Sequence, residues 1–167
     1  ISSIGIEWFA KQISKNYKKK LPIVLLTKGL SIVDNKLTTL SDKIKNILEK
    51  NGHSQINISA VKGPCLAAGL ANKMRTGTVI ANKDLKQCQS LKNMISTDYY
   101  SMEISEDVPG VELSGAIKNI YSMLIGASEG LSNSKASKEI QSKYFLNTAA
   151  SLIHRSISEM VEFVSHY

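Results

Sequence analysis

The chain has 167 residues, 43% of them hydrophobic and 21% charged, with a formal net charge of +7. That apolar content supports a buried core and excludes a disordered tail. No apolar run approaches the ~20 residues of a membrane-spanning helix, and two isolated cysteines, Cys65 and Cys88, argue against a metal site or a disulfide framework and for a reducing compartment, the cytoplasm.

In chain order, residues 5–17 have helical spacing, with Ile6, Phe9, Ala10 and Ile13 on one stripe, Trp8 and Phe9 as packing anchors, and Lys18–Lys20 as a cationic end. Residues 21–27 (LPIVLLT) are a short branched run that predicts a buried strand. A helix follows over 38–50, with Thr39 or Ser41 as cap and Gly52 as stop. Strands are predicted at 56–61, 76–81 and 99–104, with a short helix from Pro64 and a longer one over 84–95. This alternation implies a mostly parallel sheet with crossover helices. Beyond residue 107 the strands stop, and 109–131 and 136–167 read as two long helices. The expected fold class is α/β: a partial Rossmann-like parallel sheet in residues 1–107, followed by the start of an all-α domain in residues 108–167.

The first half lacks the G-x-G-x-x-G turn that seats a pyrophosphate in such sheets. The chain also opens on Ile1 without Met and without a secretory pattern, and it reads as mid-chain. On this reading the isolated polypeptide is expected neither to bind dinucleotide well nor to turn over.

Three segments carry chemistry. Between Glu112 and Glu129 the sole charged residue is Lys118, and three of its four helical neighbours, Ser114, Gly115 and Ser122, are small. A lysine on so apolar a helix suits a shielded cleft, where desolvation favours proton exchange near neutral pH. Snorkelling to water at a core edge is the bland alternative. Asn119 can hydrogen-bond a polyol. Lys28, followed by Gly29, stands past the carboxyl end of the first predicted strand, where open α/β sheets bind ligands, with a solvated loop lysine as the bland alternative. Lys62-Gly63-Pro64-Cys65-Leu66-Ala67 follows the next strand, and Gly63 permits close backbone approach, with a plain strand-to-helix turn as the alternative. The surplus charge suits an anionic small molecule. Only two basic residues are Arg (Arg75, Arg155), which argues against nucleic acid as a partner. His53, His154 and His166 do not cluster, and no metal is expected.

Thr27-Lys28-Gly29-Leu30, Gly63-Pro64-Cys65-Leu66-Ala67, Asp107 through Asn119 (DVPGVELSGAIKN) and Gly126-Ala127-Ser128-Glu129-Gly130-Leu131 stand in an order and spacing that resemble the NAD(P)-dependent glycerol-3-phosphate dehydrogenases. Ser96 through Tyr100 is also similar, and the resemblance covers nearly the whole chain, most specifically at GVELSGAIKN. It implies NAD or NADP as cofactor and dihydroxyacetone phosphate and glycerol 3-phosphate as substrates. It further implies Lys118 as proton donor and acceptor at the carbon-2 oxygen, Lys28 in contact with cofactor and substrate, Gly63 and Cys65 at the substrate, Ala67 at the cofactor, and Asn119 beside the lysine or substrate. Gly69, Ser114 and Glu129 depart from the family's common acidic, Gly and Asp residues. The family's Gly-rich first half and its later Asp and Arg-Asn segment have no counterpart here.

Two alternatives stay open: a related hydroxyacid or 6-phosphogluconate-type dehydrogenase, and a non-catalytic basic binding module. A homodimer is compatible with the stripe Ile153, Ile157, Met160 and Val164 on the last helix.

Overall fold

A computed structural model describes the backbone of residues 1–17, 21–135 and 138–167, and the side chains among these outside 132–144. The Lys18–Lys20 run lies outside the described residues. The chain divides into two compact units, Ile1–Gly115 and Ala116–Tyr167.

In the first unit a 3₁₀ turn, Ser3–Gly5, leads into α1 (Ile6–Ser14). The stripe spacing holds: Ile6 and Ala10 are fully buried, and Phe9 and Ile13 pack beside them. Trp8 is 63% exposed and does not anchor the core, because it sits two residues from Ile6 on a helix and so faces away from the stripe. Strand β1 (Ile23–Leu25) is shorter than predicted. It is followed by an antiparallel hairpin that the sequence does not announce, β2 (Leu30–Val33) and β3 (Lys36–Thr39). Asp34 and Asn35 both hold positive φ (50° and 57°), the conformation of a two-residue turn that matches strand twist. Thr39 ends β3 and caps α2 (Leu40–Lys50), its side chain accepting from the Asp42 amide, so the helix starts two residues later than expected.

The main sheet runs β1–β4–β5–β6, with β4 at Ile58–Lys62, β5 at Thr76–Ala81 and β6 at Tyr100–Ser105. β1 and β4 are parallel, as are β5 and β6, whereas β4 and β5 are antiparallel. The reason is the connector. Between β4 and β5 there is only α3 (Ala67–Ala71), a five-residue helix too short to carry the chain back along the sheet, while α4 (Leu85–Ile95) does so between β5 and β6. α3 begins three residues after Pro64, because Gly63 to Leu66 are spent in the turn.

Side chains alternate across the sheet. Ile23, Leu25 and Ile58 meet α1 and α2 through Ile6, Ala10, Leu40, Ile44 and Leu48. Val24, Val61, Ile80 and Met102 meet α4 through Cys88 and Leu91. The result is helices on both faces of the sheet. Asn82, buried at the end of β5, fastens this arrangement: its amide donates to Asn57 Oδ1 at 2.7 Å, Ile58 O at 3.1 Å and Ser59 Oγ at 2.9 Å.

The helix α5 (Val108–Lys135) contributes its first residues to this unit. Asp107 accepts from the Gly110 amide at 2.9 Å, and Pro109 occupies the first turn, where no N–H is needed. A Cβ on Gly110 would fall 2.0 Å from Asp107 Oδ2, so a side chain there would push the Asp107 carboxylate from its capping position.

The second unit holds the rest of α5 and α6 (Lys138–Ser165). On α6, Ala149 and Ser156 are buried, and Arg155 pairs with Glu159 at 2.8 Å. Of the predicted stripe, Ile153 and Ile157 are exposed and Met160 and Val164 half-buried. Among the described residues no helix is long and apolar enough to cross a membrane.

Candidate active site

Parallel pairing of β1 with β4 puts their carboxyl ends side by side, with Leu25 opposite Ala60. Two predicted site segments start from that edge. Past β1, Thr27 donates to Ile1 O at 2.9 Å, and Gly29 turns the chain at φ 128°, a conformation that disfavours any side chain. Lys28, between them, is exposed. Past β4, Gly63 presses on β5: a Cβ there would lie 2.8 Å from Thr78 Cα and 2.9 Å from Gly77 O. Thr76 Oγ1 donates to Pro64 O at 3.1 Å and fixes the turn from the other side. Cys65 is half-buried, and Ala67, the first residue of α3, is exposed. Lys28, Gly63, Cys65 and Ala67 therefore share one unit and rise from neighbouring strand ends.

Lys118 and Asn119 belong to the second unit, on α5, three and four residues beyond Gly115. Lys118 is half-buried and Asn119 exposed. Ser122 Oγ donates to the Lys118 carbonyl at 3.1 Å, tying the following turn to it.

Two buried ionisable residues at the same sheet edge escaped the sequence reading as site residues. Lys62, the last residue of β4, is 5% exposed, and its Nζ donates to Leu25 O at 3.1 Å. Burial pushes its ammonium below the usual lysine range; the Glu112 carboxylate opposes that shift, and nearby Lys28 adds to it. Glu112, on the first turns of α5, is fully buried. Its Oε2 accepts from the Ser41 amide at 3.3 Å and from the Ser41 hydroxyl. Its Oε1 has no hydrogen-bond partner among the described residues. Burial pushes its carboxyl above the usual range, with Ser41, Lys62 and Thr39 pulling the other way. The available signal was a charged residue ending an otherwise apolar strand, and an acid on an otherwise apolar helix.

Residues 1–88 match the sequence model of the NAD-dependent glycerol-3-phosphate dehydrogenase N-terminus, and residues 107–167 match that of the C-terminus. The chain belongs to the NAD-dependent glycerol-3-phosphate dehydrogenase family. Its relatives include a glycerol-3-phosphate dehydrogenase [NAD(P)+] of Mesoplasma florum, 30% identical over 168 residues, which covers 100% of this chain and 46% of the relative. A chloroplastic NAD(+) enzyme of Oryza sativa is 34% identical over 123 residues, 74% of this chain and 27% of its own. An NADP(+)-dependent one of Archaeoglobus fulgidus is 28% identical over 148 residues, 89% and 42% respectively. The chain thus spans less than half the length of these relatives. Among solved structures, glycerol-3-phosphate dehydrogenase of Coxiella burnetii superposes with a TM-score of 0.74 at 22% identity, covering 99% of this chain and 45% of that one. The Saccharomyces cerevisiae enzyme superposes equally well, at 0.74 and 19% identity, covering 98% and 44%. Likeness at this identity establishes the Rossmann-like α/β fold with its helical continuation.

Proposed function

We propose that this chain carries the central part of an oxidoreductase that interconverts dihydroxyacetone phosphate and sn-glycerol 3-phosphate with NAD(P)H. The observation that carries this reading is the match of both halves of the family, in series, on one chain. The residues present suit an anionic dinucleotide and a sugar phosphate. Lys28 offers an exposed cation at the carboxyl edge of the sheet, and Gly63 lets the neighbouring turn close onto β5 at that edge. The nicotinamide supplies or accepts the hydride, which is the cofactor's own chemistry.

The chain's own residues do the rest. Lys118 gives a proton to the carbon-2 oxygen of dihydroxyacetone phosphate as that oxygen gains negative charge, and removes it in the reverse direction. Lys28 contacts both cofactor and substrate, and its charge stabilises the same developing oxyanion. Gly63 and Cys65 line the glycerol phosphate, Ala67 the cofactor, and Asn119 holds the lysine or the substrate. The protein works in the cytoplasm, where Cys65 and Cys88 stay as thiols, and a second copy would pack on the exposed Ile153 and Ile157 of α6.

The test is dihydroxyacetone-phosphate-dependent oxidation of NADH and NADPH by the complete gene product. Turnover is expected, and Lys118→Ala should lower kcat by about a hundredfold or more. Turnover on a hydroxyacid alone, or full activity in Lys118→Ala, would refute the substrate or the role of the lysine, respectively.

A further inference from the structure

We propose that Lys62 is a positioning residue: its buried ammonium holds the end of β1 and, through it, the segment that carries Lys28. This rests on the function proposed above for Lys28. All the residues involved belong to the first compact unit.

The segment runs from Leu26 to Gly29 and joins β1 to β2. It forms neither helix, strand nor hydrogen-bonded turn. A stretch without regular hydrogen bonding opens easily unless side chains hold it from outside. Three holds are visible. Thr27 Oγ1 donates to Ile1 O at 2.9 Å. Gly29 comes so close to the 3₁₀ turn that a Cβ on it would lie 3.1 Å from Ser3 Cβ. Lys62 Nζ donates to Leu25 O at 3.1 Å, at the residue where β1 ends and the segment begins. The first two tie the segment to the amino-terminal residues, and the third ties it to the sheet.

The register explains how residue 62 does this. Leu25 lies opposite Ala60 on the parallel neighbour β4, and Lys62 is two residues further on, on the same face. Its side chain therefore starts beyond the end of β1 and turns back to the last carbonyl of that strand. Gly115 gives it room: a Cβ there would fall 2.9 Å from both Cγ and Cδ of Lys62.

The residue type is the informative part. Lys62 is 5% exposed, and an ammonium taken out of water is costly unless a hydrogen bond meets it. A methionine would fill a similar volume without that cost. What the ammonium adds is a charge-assisted hydrogen bond aimed at one carbonyl. So deep a group is not placed to touch substrate or cofactor itself. Lys28, three residues beyond Leu25, is exposed at the same sheet edge.

The experiment is a double-mutant cycle on the complete gene product: wild type, Lys62→Met, Lys28→Ala and the two together. It reads kcat/KM for dihydroxyacetone phosphate with NADH, well below each thermal midpoint. Lys28→Ala should lower kcat/KM by roughly a hundredfold or more. Lys62→Met should lower it by roughly tenfold to a hundredfold, as misplacement of a group that meets the reactants does. Added to Lys28→Ala, Lys62→Met should cost less than about twofold further, because the group it positions is gone. A merely structural lysine would cost the same factor in both backgrounds. That result, or wild-type kcat/KM in Lys62→Met, would overturn the positioning and leave the proposed function standing. Absence of turnover in wild type, or full activity in Lys28→Ala, would remove the parent reading, and this inference with it. A second measurement needs no variant to fold. Mild reductive methylation of the native wild type, read by peptide mass, should modify Lys62 at least roughly tenfold more slowly than Lys28, because the buried amine reacts only after local opening. Equal rates would show that Lys62 is not held at Leu25 O and would also overturn the proposal.

Discussion

Gly63→Ala is the substitution whose outcome the structure fixes most tightly. The added methyl would sit 2.8 Å from Thr78 Cα, 2.9 Å from Gly77 O and 3.0 Å from Thr78 Cγ2. Two of those atoms are backbone of β5, a strand paired on both edges, and it cannot yield without disturbing β4 or β6. Overpacking costs about 1–3 kcal/mol, and rigid neighbours place this case near the top of that range. Gly63 has no positive φ, so alanine regains about 0.4–1 kcal/mol by restricting the unfolded chain. The expected net loss is about 2 kcal/mol. It is read from the urea midpoint of the complete gene product at unchanged slope. The same strain should displace the turn bearing Cys65 and raise KM for dihydroxyacetone phosphate. Unchanged or increased stability would show that β4 and β5 do not approach as closely as described, and the reasoning from Gly63 would fail.

Other substitutions test separate links. Gly126→Ala on α5 meets nothing within 4 Å and should stabilise by up to about 1 kcal/mol through helix propensity, measured as a rise in thermal midpoint. Thr39→Ala removes the cap that accepts from the Asp42 amide at 3.2 Å, and should cost about 1 kcal/mol in denaturant unfolding. Asn82→Ala leaves the Ile58 carbonyl and the Asp84 amide without their side-chain partner, with a loss of about 2–3 kcal/mol by the same assay. For pH, the folded state holds the Glu112 proton more tightly than the unfolded chain does, so wild-type stability should fall as pH rises from the ordinary value of 4.5 through the raised one. Glu112→Gln should lack that fall, and parallel curves for the two proteins above pH 4.5 would contradict it.

The elements legible in the sequence are those whose local signal and tertiary role agree. Helix α1 shows its buried stripe in Ile6, Ala10 and Ile13, β5 is rich in β-branched residues (Thr76, Thr78, Val79 and Ile80), and α4 announces itself with Asp84, which caps the Lys86 and Gln87 amides. The hairpin β2–β3 was not legible for a physical reason. Its turn is Asp34-Asn35 rather than the Asn-Gly or Asp-Gly that marks a tight hairpin, and its strands are half-exposed, with Ile32 at 71%, so no buried face imposes alternation. The antiparallel β5 was hidden by a count of elements that ignored their length. An α between two βs implies a parallel pair when the helix is long enough to return the chain, and Ala67–Ala71 is not.

The site divides along the same line. Lys28 and Gly63 stand where the sequence puts them, past the carboxyl ends of the neighbouring parallel strands β1 and β4, and Gly29 at φ 128° is a turn residue that such a position uses. Lys62 and Glu112 lie 50 residues apart in sequence, and each alone reads as the solvated end of an element. Their significance exists only when the β1–β4 register brings Leu25 O under Lys62 and when Ser41 meets Glu112 from another helix. Gly115 is the instructive residue between them. In the sequence it is one small residue beside Lys118. In the fold its missing Cβ is the space occupied by a second lysine, so the small face of that helix serves Lys62 at least as directly as it serves Lys118. A Gly115→Ala substitution paired with Lys62→Ala should therefore be less harmful than the sum of the two, since removing the lysine stem removes the collision, and simple additivity would place Lys62 elsewhere.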